Sequence, residues 1–93
     1  FGTVTPTRPD LINSITESEQ QIVGDHFNYL TEANKRGIVS FAGPCLDGSF
    51  GILVLRAETI EAAQDFMRAD PAVIGGVFTS AVKEVRISVG TLT

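Results

Sequence analysis

Cysteine is nearly missing from this chain: Cys45 stands alone among 93 residues, so no internal disulfide can form. A disulfide-stapled fold is excluded, and a lone thiol fits a reducing compartment, so a cytoplasmic location is expected. Basic residues are scarce as well. Seven Lys and Arg face eleven Asp and Glu, for a formal charge of −4, and they form no run or basic-aromatic stripe. Gripping a phosphate backbone needs clustered cations, so nucleic acid is not an expected partner. No apolar stretch approaches the ~20 residues of a membrane helix, and no secretory signal pattern opens the chain. The glycine-rich phosphate loops, CxxC and HExxH are all absent, and one His with one Cys makes no typical zinc site. Neither a metal nor a cofactor is expected.

What is present suits a single domain over residues 1–93 with one modest core, since 43% of the residues are hydrophobic. Its clearest element is an amphipathic helix over Ser18–Arg36. Ile22, Val23, His26, Phe27, Leu30 and Ala33 recur every three or four positions and share one face. Glu19, Asp25, Asn28, Glu32 and Lys35 fall on the other. Thr16 and Glu19 make a capping-box pattern at the start, and Gly37 after Lys35-Arg36 marks the end. The only histidine, His26, thus lies in the apolar stripe and needs a partner, because an unpaired buried polar group costs roughly 1–3 kcal/mol. It is either a core residue satisfied by a backbone carbonyl or a group poised for proton transfer near neutral pH.

The rest of the chain reads as strands around a second helix. Phe1–Thr5 is β-prone and is stopped by Pro6. Ile38–Gly43 forms a second strand, and Asp47-Gly48 predicts a type I′ hairpin with positive φ at both positions. Phe50–Leu55 follows, and its consecutive apolar residues place it centrally, with Ile52 and Val54 facing one side and Leu53 and Leu55 the other. Thr59 caps a helix buried through Ile60, Ala63, Phe66 and Met67. Asp70-Pro71 then opens a short helical turn. The last strand is expected from Val77 to Val89, with a bulge near Lys83-Glu84. The order β-α-β-β-α-β is the ferredoxin-like, split βαβ pattern of the α+β class. Two helices cover one face of a four-stranded antiparallel sheet. The other, apolar face is expected to be covered by a second copy, making a homodimer.

Few side chains remain for chemistry. Asp70 serves as a helix cap, and beside His26 it would also fix the imidazole tautomer. Arg8, between Pro6 and Pro9, is either a solvated loop residue or a fork for a substrate carboxylate. Asp47 reads as a hairpin residue, and nothing around Cys45 points to an activated thiolate.

Asp25-His26-Phe27 with Tyr29-Leu30, Gly37, Ala42-Gly43-Pro44, Asp47-Gly48, Glu61-Ala62-Ala63, Asp70-Pro71 and Gly76-Val77-Phe78, in that order, resemble the YciI-like (YCII-related) proteins. The resemblance spans essentially the whole chain. It implies a dimeric α+β barrel, within a superfamily that includes muconolactone isomerases and small monooxygenases. It further implies a catalytic pair at His26 and Asp70 and a cleft lined by Gly43 and Pro44. Together these readings predict a cofactor-free enzyme that moves a proton on a small aromatic or enolic acid, by isomerisation or elimination. The alternative from another class is a non-catalytic metabolite-binding or regulatory module. A monooxygenase rests on fold analogy alone.

Overall fold

The computed structural model describes residues 1–91, apart from the side chain of Ile12. Its elements are β1 (Gly2–Pro6), a 3-10 turn (Leu11–Asn13), α1 (Glu17–Lys35), β2 (Val39–Pro44), β3 (Gly51–Leu55), α2 (Ile60–Arg68), α3 (Pro71–Ile74) and β4 (Phe78–Val82). The strands lie in the order β2-β3-β1-β4, and every neighbouring pair is antiparallel. This is the expected ferredoxin-like α+β sheet, with β3 and β1 inside. A Cβ added at Gly2 would meet the Met67 side chain of α2, so Gly2 and its partner Leu53 face the helices. Alternation then puts Thr3, Ile52 and Ala81 on the bare face.

Helix α1 starts and stops where its sequence says it should. The Thr16 side chain accepts the Glu19 N–H while the Glu19 carboxylate accepts the Thr16 N–H. At the other end Gly37 takes φ 77°, and the Ile38 N–H reaches back to the Ala33 carbonyl. That 6→1 bond satisfies a carbonyl the helix leaves open, and a side chain at that φ would be strained. Along its buried face α1 spans two apolar clusters. Ile22 and Val23 pack with Leu11, Ala72 and Val77, whereas Leu30 and Ala33 pack with Val4, Val39, Leu53 and Met67. His26 falls between the two.

Three expectations need correction. The last strand ends at Val82 and not at Val89: among the described residues its neighbour is β1, and their ladder runs from Pro6–Phe78 to Gly2–Val82. The final pairing joins Phe1 and Lys83 by two bonds of 2.8 Å. Hence the odd step at Val82–Val85 is a strand end, and the sheet's irregularity lies instead in β2 between Val39 and Phe41. Second, Asp47 keeps a negative φ and only Gly48 (φ 77°) enters the left-handed region, so the hairpin turn is not type I′. The Gly48 N–H bonds the Cys45 carbonyl, and the Asp47 carboxylate accepts first from the Ser49 hydroxyl and then from the Ser49 N–H, which hold it below the usual carboxylate range. Third, Phe27 is 68% exposed despite its place in the apolar stripe. Opposite this part of α1 the sheet offers Ala42, Gly43 and Gly51, which fill little space, so a cavity opens there.

The bare face is divided. Its β2–β3 half carries Phe41, Ile52 and Val54, and its β1–β4 half carries Thr3, Thr5 and Thr79. No helix among the described residues is long and apolar enough to cross a membrane.

Candidate active site

The cavity lies between α1 and the sheet and holds about 670 Å³. Helix α1 contributes Val23, His26, Phe27 and Leu30 to its wall, and the strands supply Val4 and Leu53. The β2–β3 hairpin closes one side with Gly43, Pro44 and Phe50. Gly43 and Pro44 therefore stand in the cleft that holds His26. A Cβ at Gly51 would sit 3.1 Å from a Val4 methyl, so a larger residue there would press on Val4. Small residues on the strands are what leave room for a ligand under α1.

Behind the cavity wall, His26 Nδ1 lies 2.6 Å from Asp70 Oδ2. The side chains are 13% and 3% exposed, so the contact is shielded from water on most sides. Asp70 owes its position to the break between α2 and α3. Its φ and ψ (−62°, 128°) are extended, Pro71 occupies the first helical position, and Oδ1 accepts the Ala72 N–H at 2.9 Å. One carboxylate oxygen thus caps α3 and the other holds His26. The capping and histidine-pairing roles coexist, each using its own oxygen.

With Nδ1–H donating to the carboxylate, Nε2 is the unprotonated, basic nitrogen of the neutral ring. Nε2 has no hydrogen-bond partner among the described residues and is not sealed from the surface. Phe78 sets the ring plane from the side, edge to face at 5.2 Å and 76°. A neighbouring layer stiffens the Asp70 loop: Tyr29 donates to the Phe66 carbonyl at 2.8 Å and stacks on the Phe66 ring at 4.9 Å. Burial, with help from the Asp70 charge and against Arg36, pushes the Tyr29 phenol above its usual pKa of 10.

Arg8 lies elsewhere. Its guanidinium forks onto Glu19, with Nη2 at 2.6 Å and Nε at 3.2 Å, and it also donates to the Ser14 hydroxyl and carbonyl. It is not part of the cavity wall. The Arg8 and Thr16 bonds draw the Glu19 carboxyl down to about 2. Cys45 is half-buried and free, and no three His, Cys, Asp or Glu side chains among the described residues converge on a possible metal position. The aromatic lining by Phe27, Phe50 and Phe78 escaped the sequence reading. Those three come from α1, the hairpin and β4, so no one period in the chain links them.

The likeness to known proteins agrees with this fold. The chain aligns with 5-chloro-2-hydroxyhydroquinone dehydrochlorinase (TftG) from Burkholderia phenoliruptrix AC1100, solved with 2,5-dihydroxybenzoquinone. The TM-score is 0.68 over 91% of each chain, at 19% sequence identity, a level at which the fold is what is shared. No curated protein matches the sequence. A family model for the YCII-related domain matches residues 3–86. This chain belongs to the YCII-related domain family.

Proposed function

We propose that the protein is a small-molecule enzyme in which His26 moves a proton and Asp70 holds the imidazole in the tautomer that can do so. The observation that carries this reading is the 2.6 Å contact from Nδ1 to a buried carboxylate, on a ring that also lines a 670 Å³ cavity. In the reaction, Nε2 takes a proton from a C–H or O–H of the substrate, and the electron pair of that bond becomes a new π bond. In an elimination a leaving group then departs with its own bonding pair. In an isomerisation the proton returns at another carbon. As the ring becomes imidazolium, Asp70 faces it at hydrogen-bond distance and stabilises the charge. The structural relative is named for a dehydrochlorination, the loss of a proton and a chloride from a hydroquinone, which supports elimination from a small aromatic or enolic molecule. Gly43 and Pro44 shape the cleft opposite His26.

The test is chloride release from chlorinated hydroquinones, with deuterium uptake from D2O scored for isomerisation. Wild type should turn over, and His26→Gln, folded by circular dichroism, should lose ~10²–10⁴ in rate, the usual size of a general-base contribution. A folded His26→Gln with undiminished turnover would overturn the reading. The non-catalytic alternative draws on the Asp70 bond to Ala72, which gives the carboxylate a structural reason to be there. Its mark is a ligand that binds and leaves unchanged.

We further propose that a second copy covers the bare sheet face. Phe41 there is 47% exposed beside Ile52 and Val54, an apolar patch on the open side of a sheet. Sedimentation should give a dimer for wild type and a monomer for Phe41→Asp. A monomeric wild type rules the dimer out.

A further inference from the structure

The same cavity carries information about charge. Among the described residues that line it there is no Lys, Arg, Asp or Glu. Its polar side chains are largely occupied with the protein itself. Asn34 donates to the Val39 carbonyl at 2.8 Å, and Thr31 donates to the Phe27 carbonyl at 2.8 Å. The remaining handle is His26, and its partner is an acid. Beside a carboxylate, a neutral ring leaves the His26–Asp70 pair with one negative charge and an imidazolium leaves it with none. Arg8, the cation placed nearest in the sequence reading to a substrate role, spends its fork on Glu19 and Ser14.

A carboxylate entering this site would give up its hydration for phenylalanine walls and meet a buried anion behind His26. Loss of hydration without a partner strongly disfavours an ionised group. A phenol or enol has no such difficulty. Its ring meets Phe27, Phe50 and Phe78, and its hydroxyl donates to Nε2. We propose that the site selects neutral aromatic or enolic molecules and excludes carboxylates, so that the acidic group of the substrate is a hydroxyl or an activated C–H. This rests on the cavity being the substrate site of the function proposed above, and it narrows the substrate class within it.

The experiment compares 2-naphthol with 2-naphthoate, which share a ring system and differ at neutral pH by one charge. Their fluorescence is read cleanly, because the protein has no tryptophan. Wild type should bind naphthol at least tenfold more tightly. Thr31→Lys, which adds a cation to the α1 wall, should raise naphthoate affinity tenfold or more relative to naphthol. Naphthoate binding as well as naphthol in wild type overturns the proposal. Failure of both probes to bind overturns it too. If wild type prefers naphthol but Thr31→Lys still rejects naphthoate, shape and not charge is responsible, and the proposal falls. Turnover is a separate readout: a protein that prefers naphthol yet eliminates no chloride and exchanges no proton would keep the charge rule and lose the proton-transfer reading.

Discussion

Helix α1 carries two acid–base pairs, Arg8–Glu19 at its first turn and His26–Asp70 halfway along. Both include a contact of 2.6 Å, and both join the helix to a distant segment. Their surroundings are opposite. The Arg8 and Glu19 side chains keep 34% and 19% of their surface, while His26 and Asp70 keep 13% and 3%. Arg8 offers several donors to a carboxylate that also completes a capping box, so that pair is saturated by its own neighbours. The His26 ring uses one nitrogen on Asp70, has no partner for the other among the described residues, and lines a cavity. Short contact distance therefore does not separate the two pairs. What separates them is an unpaired ring nitrogen on a residue that lines a space large enough for a ligand, and the proposed function rests on that difference.

The largest effect should come from removing Asp70. Its two oxygens accept from two different donors, the Ala72 N–H and His26 Nδ1. Asp70→Ala loses the cap of α3, about 1 kcal/mol, and strands the imidazole N–H, about another 1–3 kcal/mol. At ~4–8 °C per kcal/mol for a domain of this size, the melting temperature should fall by roughly 10–30 °C. Asp70→Asn has one acceptor oxygen for those two donors, so it should lie between wild type and Asp70→Ala. Calorimetry of the three proteins checks the order. Equal stability in all three would mean that the pair contributes nothing to the fold and that the comparison above is wrong.

How much of this was legible beforehand follows from the range of each interaction. The ends of α1, the cap at Thr59 and the Asp70-Pro71 break depend on residues within four positions of one another, and all were readable. The strand order followed from the alternation of elements and their short connections. The end of β4 was not readable, because a strand's extent depends on its pairing with β1, near the other end of the chain, and not on its own residues alone. Nor was the exposure of Phe27, whose periodicity says core while the glycines it faces lie on other strands. For His26 and Asp70 the sequence supplied both residue types and their helix-cap setting. It gave no distance across the 44 positions that separate them, and the proposed chemistry rests on that distance. Arg8 failed for the opposite reason: its partner Glu19 was already assigned to the capping box, and a carboxylate can serve two donors at once.

The smallest effect is expected at Arg8–Glu19, and its signature is pH and not size. The Glu19 carboxyl sits at about 2 in the folded chain against an ordinary 4.5. A carboxyl lowered by folding lends stability in full above its unfolded pKa and loses it as acid drives the folded group to protonate. The stability difference between wild type and Glu19→Gln should therefore be constant above about pH 4.5 and vanish as the pH falls towards 2, as melting curves across that range will show. Added salt should shrink the difference as well, since the ions are partly exposed. Turnover should be unchanged in Glu19→Gln at neutral pH, because the pair stands apart from the cavity wall. A drop in turnover with the fold intact would mean that the guanidinium leaves Glu19 to reach substrate. The two pairs would then form one site, and the exclusion of carboxylates would lose its basis.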